Sequence, residues 1–597
     1  MGLLLAVLAP RVAGQTPKPV ETLRGSGITI MAVNVYDQVP PRGFVPLRIT
    51  ITNASDSAGS WDLNAEAGNS FNDGVFTTTA HASVPAHAEK TFELLAALPE
   101  WQNNQYSRPL RLSVSGPGTL NRDVSWETSS NYYSGRPGRR STSMGDPRFV
   151  GLSLSLNRDL GSALQDYEES TAACPYTQIA LDPNLLAADW RSYLGFDAVV
   201  FNAQDWLSLS LTQRAAILQW VAAGGELRLL ADQSGGLNLP ARTDDHYGAG
   251  VILLFPPNSA SSTDLKTHSA YNTERYVFNF YYNAAPVQAL ALAPAIKTPP
   301  VGNIPAPVPP PPPLVFNPPH LGQQYALVAI FIAIFVALVG PLNLFVFCRG
   351  SHRTRLLWVT PLLSLAATLM LGAYILVSDG IGGRGVYYRL TQLEPDGKFA
   401  VESQISSCVT GLLLHTDFNV SDSVWILPYK NSDHEDSLTG VFAQDGKHYT
   451  GNWLASRREQ TLYAAAVVPS RAALLLVTPT PQAGVAASAG VSLRSEYNGT
   501  LKKLYYLDAS GNAWKTDSLT DGETQKLVPI GHDEIARAWQ NEVSASPGLL
   551  RSYMREVTPT PGTFFALGDD SQAGLEPQSA GLGWTCFRHV VVGPVQP

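Results

Sequence analysis

Tyr325 to Cys348, YALVAIFIAIFVALVGPLNLFVFC, and Leu356 to Ser378, LLWVTPLLSLAATLMLGAYILVS, divide the chain. Neither stretch holds a charged residue, and each exceeds the roughly 20 apolar residues that cross about 30 Å of hydrocarbon. The pattern predicts transmembrane helices over 325–348 and 356–378, joined by the short turn 349–355, RGSHRTR. Arg349, Arg353 and Arg355 concentrate positive charge in that turn, residues 310–324 carry no Lys or Arg, and only Arg384 and Arg389 follow soon after. The positive-inside bias places the turn in the cytoplasm and both large soluble regions outside it. The expected setting is a bacterial inner (cytoplasmic) membrane with periplasmic domains.

Gly340, Pro341, Asn343 and Pro361 interrupt these apolar runs, which suits a kinked pair or packing against partner helices. No Asp, Glu, Lys, Arg or His lies within either span, so anchoring is favoured over an ion or proton path. With 597 residues there is room for several domains, each with its own core. A charged fraction of 15% with abundant Gly and Pro suits β-rich extracytoplasmic modules. A net charge of -8 argues against a nucleic-acid partner, which needs a basic face. The N-terminal run MGLLLAVLAPRVAG has the shape of a signal peptide over residues 1–14, without a basic start.

Residues 26–133 alternate in short runs broken by turn residues: ITIMAVNVY, FVPLRITITN, GVFTTTAHASV, KTFELLAAL and PLRLSVSG. In the second, Val45, Leu47, Ile49 and Ile51 face one way and Arg48, Thr50 and Thr52 the other. This is the pattern of an immunoglobulin-like β-sandwich. From 147 to 296 strands and helices alternate: RFVGLSLSL, TQIALD, DAVVFNA and ELRLLAD as strands, LGSALQDYE, NLLAADWRSYL and LTQRAAILQWVAAGG as helices. That order implies parallel strands with covering helices. In the last helix Leu211, Ala215, Ile217, Leu218, Val221 and Ala222 form the expected apolar face, stopped by Gly224 and Gly225.

The run FDAVVFNAQDWLSLSLTQRAAILQWVAAGGELRLL, 196–230, resembles the divergent class I glutamine amidotransferase-like domains of bacterial envelope proteins. There a strand ending in an Asp and two apolar residues precedes a helix closing on W-V-x-x-G-G. The resemblance spans residues 147–256 and implies an α/β, flavodoxin-like fold. The G-P-L-N stretch, basic turn and L-W-x-x-P stretch also resemble the membrane hairpin of those uncharacterised proteins. Active amidotransferases need a nucleophilic Cys with a His partner. No Cys lies between Cys174 and Cys348, and Cys174 precedes a strand, so no amidotransferase nucleophile is expected.

Weaker catalytic candidates remain. Asp232 and Ser234 follow a strand's carboxyl end, where ligands of open α/β sheets gather, and Asp244, Asp245 and His246 lie in the next loop. A solvated turn is the simpler account of Asp244, Asp245 and His246. No cofactor or metal is expected, and His415, His434, His448, His532 and His589 read as ordinary polar residues without ligand spacing. The Pro-rich tract of 297–324 reads as an extended spacer. Beyond it, 379–597 returns to strands, GVYYRLTQL, FAVESQISSCV, SVWILPY, TLYAAAVVP, AALLLVTP, SLRSEYNG, KKLYYLDASG and FRHVVVG, with a helix around Asp533 to Glu542. Cys408 and Cys586, near the two ends of this region, could form a disulfide if their Cα atoms lie within about 7 Å.

The expected protein is a multidomain membrane protein: sandwich, α/β domain, two-helix hairpin and C-terminal all-β region. Its expected role is non-enzymatic, a scaffold or auxiliary subunit contacting the bilayer and other envelope or membrane proteins, a transporter among them, or a second copy of itself. An envelope hydrolase or transferase built on Asp232, Ser234 and His246, or a ligand or glycan sensor, are the alternatives.

Overall fold

The computed structural model describes residues 18–20, 27–36, 38–40, 43–68, 74–98, 109–118, 123–126, 148–157, 176–231, 236–240, 246–247, 250–255, 321–347, 356–380, 382–394, 397–421, 424–429, 440–477, 490–556, 559–569, 574–579 and 581–596. The signal peptide, the LGSALQDYE helix, residues 297–320 of the Pro-rich tract and the basic turn with Arg349, Arg353 and Arg355 lie outside them. What is described is mostly β-sheet with few helices.

The first region is a sandwich of two sheets. Strands β1 (Lys18–Val20), β2 (Ile28–Asn34), β3 (Gly43–Asn53) and β6 (Ala88–Leu98) form one, in the order β1-β2-β3-β6. The other contains β4 (Gly59–Gly68), β5 (Val75–Val84), β7 (Leu110–Ser115) and β8 (Val124–Trp126), in the order β5-β4-β7-β8. Val45, Leu47, Ile49 and Ile51 are all buried, as their alternation with polar residues requires. The sequence reading missed β4, GSWDLNAEAG. Its inward Trp61, Leu63, Ala65 and Ala67 alternate with Asp62, Asn64 and Glu66, and small Ala side chains weaken the period-2 signal.

The second region is built on a six-stranded sheet ordered β10-β9-β11-β12-β14-β13. Its members are β9 (Arg148–Ser153), β10 (Tyr176–Leu181), β11 (Ala198–Asn202), β12 (Glu226–Leu230), β13 (His246–Tyr247) and β14 (Gly250–Phe255). All neighbouring pairs are parallel except β13 with β14. In chain order the five parallel strands run 2-1-3-4-5. A short helix α1 (Ala203–Ser208) precedes α2 (Leu211–Ala222), whose Ser210 and Gln213 form a reciprocal capping box. Two expectations need correction. The buried face of α2 is Ala216, Ile217, Trp220, Val221 and Ala222, while Leu211 is 78% exposed. The expected helix NLLAADWRSYL is only a 3-10 turn at Trp190–Tyr193. Asp182 turns the chain by accepting from the Asn184 amide, and Asp189 takes the Arg191 amide. Such local side-chain bonds compete with helix formation.

Helix α3 (Leu321–Ala337) continues as a π-helix over Leu338–Phe347 that contains Pro341, and α4 covers Leu356–Asp379. Pro341 has no amide hydrogen and its ring crowds the preceding turn, so the wider π geometry arises there. Among the described residues one helix, α4, is long and apolar enough to cross a membrane, over Leu357–Tyr374, and the apolar stretch Ala329–Leu342 is shorter. Many side chains along the two helical segments are exposed, Phe345 at 67% and Trp358 at 83% among them.

The final region holds a twelve-stranded sheet whose main path is β18-β21-β16-β15-β29-β28-β24-β25-β27. These strands are β15 (Gly383–Leu393), β16 (Phe399–Thr410), β18 (Trp425–Tyr429), β21 (Glu459–Pro469), β24 (Thr500–Leu507), β25 (Ala513–Thr520), β27 (Val528–Ile530), β28 (Thr563–Gly568) and β29 (Leu582–Gln596). The helices α5 (His532–Ala545) and α6 (Gly548–Glu556) bury Ile535, Trp539, Tyr553 and Met554 against it. Here β15 runs between β16 and β29, with Cys408 opposite Gly385 and Cys586 opposite Tyr387. With a strand between them, two spacings of about 4.8 Å separate the cysteines, beyond disulfide reach. The possible Cys408–Cys586 disulfide is not formed, and both cysteines are free.

Three short strands of this last region leave its sheet. β17 (Phe418–Asn419), β19 (Val441–Asp445) and β20 (His448–Gly451) extend the second sandwich sheet, giving the order β17-β20-β19-β5-β4-β7-β8. Val441 to Gln444 pair in parallel with Val75 to Thr78. A strand from beyond the helices thus completes a domain begun before them.

Candidate functional site

In the parallel sheet, β9 and β11 are neighbours whose onward connections run to opposite sides, to β10 and to β12. Open α/β sheets bind ligands outside the carboxyl ends of their strands where the order reverses in this way. Three polar side chains meet there. Asn202 ends β11 and caps α1, accepting from the Asp205 amide at 2.6 Å. Its Nδ2 donates to Ser155 Oγ at 2.8 Å, and the Ser155 hydroxyl donates to the Asp205 carboxylate. Ser155 stands two positions beyond β9, so the network ties the exits of β9 and β11 together. All three are half-buried.

This arrangement suits hydrogen bonding to a polar ligand. A serine nucleophile needs an adjacent base to remove its proton; among the described residues the side-chain contacts of Ser155 are the Asp205 carboxylate and the Asn202 amide, with no histidine beside them. Leu154, Leu207 and Leu211, from the same loop and helices, are exposed. The sequence reading passed over Ser155, Asn202 and Asp205 because Ser155 lies far along the chain from the other two. The signal was in N-x-x-D at the strand end: Asn at an N-cap with Asp in the first helical turn is capping chemistry.

Of the candidates named from sequence, Asp232, Ser234, Asp244 and Asp245 lie outside the described residues. The backbone of His246 belongs to β13, opposite Val251, which is level with Glu226 at the start of β12. Leu230, at the carboxyl end of β12, is four residues further, about 13 Å along the strand. His246 is therefore at the amino end of the sheet, away from the crevice of Ser155, Asn202 and Asp205.

A second concentration of polar groups holds the regions together. Tyr36 Oη donates to the Ser192 carbonyl at 2.7 Å, and burial, then Tyr193 and Asp189, push its pKa well up. Arg191 stacks over Phe44, pairs with Asp189 at 2.7 Å and donates to the Val424 carbonyl at 3.3 Å. Burial alone would lower its pKa, but the bond to Asp189 and its charge raise it. Beside it, burial pushes Tyr449 up to about 12, although Arg191 opposes. One buried apolar cluster runs through all three regions, from Ile30 to Trp220, Trp453 and Val590. At the shared sheet Trp453 meets Phe76, Phe442 and Tyr449 edge-on at 5.7, 5.2 and 5.2 Å, and Phe418 stacks on Tyr449 at 5.1 Å. These are junction groups: Tyr36, Tyr449 and Trp453 are buried, and the Arg191–Asp189 pair is half-buried.

No protein-family model matches the chain, and no curated protein matches it. Among solved structures it is similar to the yeast delta-COP-I mu-homology domain, alone and complexed with a Dsl1 WxWxV peptide. Identity is 10% in both, with 36% of this chain covered and 95% and 96% of those chains. The TM-score is 0.18 in each case, and no conclusion about fold or function is taken from it.

Proposed function

We propose that the chain is a membrane-anchored scaffold or auxiliary subunit of a bacterial envelope assembly, with both soluble regions on the periplasmic side. The anchoring rests on the apolar length of α4, and the parallel pairing of β5 with β19 constrains the topology. Hydrogen-bonded strands share one side of a bilayer, so the chain crosses an even number of times between Val84 and Val441. If α4 crosses, the continuous helical segment of α3 and its π-helix supplies the return. The two apolar runs then form a hairpin, and Arg349, Arg353 and Arg355 set its turn in the cytoplasm. Exposed Ile330, Ile334, Leu362 and Leu369 suit lipid or partner helices.

The 2-1-3-4-5 strand order supports a flavodoxin-like, amidotransferase-like domain. The placement of His246 at the amino end of the sheet, away from the crevice of Ser155, favours docking over hydrolysis there. A platform carried by one rigid junction and held at a membrane is suited to assembling partners.

Topology and role are tested separately. Single cysteines replacing exposed Ser57 and Ser518, in a chain otherwise without cysteine, should both react with a membrane-impermeant maleimide in intact spheroplasts. A cysteine replacing Ser351 should react only after permeabilisation. Opposite labelling of Ser57→Cys and Ser518→Cys rejects the hairpin. In-cell crosslinking followed by purification should recover envelope partners, and a lone monomer would reject the scaffold role.

A further inference from the structure

Helix α4 runs almost directly into the twelve-stranded sheet. Asp379 closes the helix and Gly383 opens β15, with Gly380 and Gly382 between them at φ +75° and +91°. Three backbone bonds fasten this link to the turn that follows β16. The Leu412 amide donates to the Gly380 carbonyl at 3.0 Å, the Gly382 amide to the Leu412 carbonyl at 3.0 Å, and the Gly411 amide to the Gly382 carbonyl at 2.7 Å. On the other side the Gly383 amide donates to the Gly581 carbonyl at 2.9 Å, an oxygen that a Cβ on Gly382 would strike. The turn before β21 joins the same end, its Arg457 amide donating to the Gly411 carbonyl at 3.0 Å and its Arg458 carbonyl accepting from the Thr410 amide at 3.1 Å.

Those bonds decide which end of the sheet lies nearest the bilayer once α4 crosses it. The apolar run ends at Ser378, and Leu412 is bonded to the second residue beyond. Leu414 follows Leu412 by two positions, so it lies within about 7 Å of it. The headgroup layer is about 5–7 Å deep on each side of the hydrocarbon. Leu414 is 71% exposed, although Leu412 is half-buried and Leu413 buried, and Arg384, Arg457 and Arg458 are exposed at the same end. Over residues 379–384, 410–416 and 455–460 three arginines stand against two acids, Asp379 and Glu459. Guanidinium groups match phosphate oxygens in pairs. An apolar side chain beside basic ones is the combination that enters the interface of an anionic membrane.

We infer that this end of the sheet rests on the periplasmic leaflet, with Leu414 in the headgroup layer and Arg384, Arg457 and Arg458 bonded to the phosphates of anionic phospholipids. The contact rests on the membrane-anchored reading above and extends it: the lipid around α4 is the same lipid that meets these loops. Its consequence is orientation. With the link bonded on both sides and the loops seated on headgroups, β15 and β29 rise from the bilayer at a fixed angle, and the regions joined to them are held there rather than swinging on a tether.

The test uses the full-length protein in phosphatidylcholine vesicles with and without phosphatidylglycerol. A nitroxide is attached to a single cysteine, from Leu414→Cys, Leu365→Cys or Ser518→Cys, in a chain otherwise without cysteine. Its collisions with lipid-soluble oxygen and with a water-soluble nickel chelate are compared. Leu365 is an exposed residue of α4. Ser518 is level with Leu390 through Lys502, Leu567 and Val590, about 23 Å along the sheet from Gly383. Oxygen should dominate at 365 and the chelate at 518, while 414 lies between them and is better shielded from the chelate when phosphatidylglycerol is present. That lipid effect should vanish in the triple variant Arg384→Gln, Arg457→Gln, Arg458→Gln, and fade near 1 M salt, where charges are screened within about 3 Å. An unchanged signal at 365 in the triple variant shows that it is still inserted. Chelate access at 414 equal to that at 518 in both lipids, with 365 still in oxygen's reach, overturns this inference and leaves the anchor standing. Chelate access at 365 overturns the anchor itself. A lipid effect that survives the triple variant rejects the arginines, and shielding of 414 from both probes would seat a second copy of the chain there in place of lipid.

Discussion

Asp508 shows how one side chain organises a turn. It closes the β24–β25 hairpin by accepting from the Ser510 and Asn512 amides, from Asn512 Nδ2 at 3.0 Å and from Trp514 Nε1 at 2.9 Å. Desolvation raises its pKa, but the bonds from Trp514, Asn512 and Ser510 outweigh that and hold it below the ordinary carboxylate value. A depressed folded pKa means stability that is present above the unfolded value, about 3.9, and lost as pH falls through the folded one. Asp508→Asn should therefore melt lower than the wild type at pH 7, with the difference shrinking below about pH 4. A difference that is constant across that range would show that the charge is irrelevant. This turn was readable, because D-A-S-G-N carries its own chemistry. The Ser155, Asn202 and Asp205 network was not, since nothing local says that residues 47 to 50 positions apart will meet.

Among the elements, α2 was the most readable, with Ser210 and Gln213 at its start and Gly224 and Gly225 at its end. Its inward face was misread because helical spacing alone does not say which apolar stripe is the buried one. Trp220 settles the matter by lying against Gly225: a Cβ built on Gly225 would stand 2.4 Å from the indole ring. The G-G that follows W-V thus serves the ring as well as the chain reversal, Gly224 having φ +120°. Gly225→Val should cost about 1–3 kcal/mol by overpacking, seen in denaturant unfolding followed by Trp fluorescence. An unchanged midpoint would mean that the ring moves aside freely. The strands of the C-terminal region were readable for the opposite reason: GVYYRLTQL and FAVESQISSCV are long and β-branched or aromatic, so propensity and packing agree. Helix 184–194 failed because Asp182 and Asp189 spend their side chains on turns.

For the whole molecule, the three soluble regions could be separated by their sequence grammar, but their union could not. VFAQDGKHYTG is a hairpin on its own terms, with a two-residue Gly446-Lys447 loop, yet no residue in it names β5 as the partner. The union rests on Trp453, which is 2% exposed among Phe76, Phe442 and Tyr449. Trp453→Ala should cost about 3–5 kcal/mol. Hydrogen exchange should then quicken in β5 and β19 together, two segments on either side of the helices. Protection of β5 that is unaffected would mean that the first region stands alone.

The same pairing has a consequence in time. Thr78 and Gln444, bonded at 3.0 Å, are 366 positions apart. At roughly 5–20 residues per second, a ribosome needs about 20–70 s to deliver the second after the first. Throughout that interval β5 is an open strand edge, a template for any other extended chain. The nascent N-terminal half must wait through the synthesis of the helices before its sheet can close. The speed of translation, rather than the intrinsic folding rate of the sandwich, therefore sets how long each new molecule is vulnerable to aggregation.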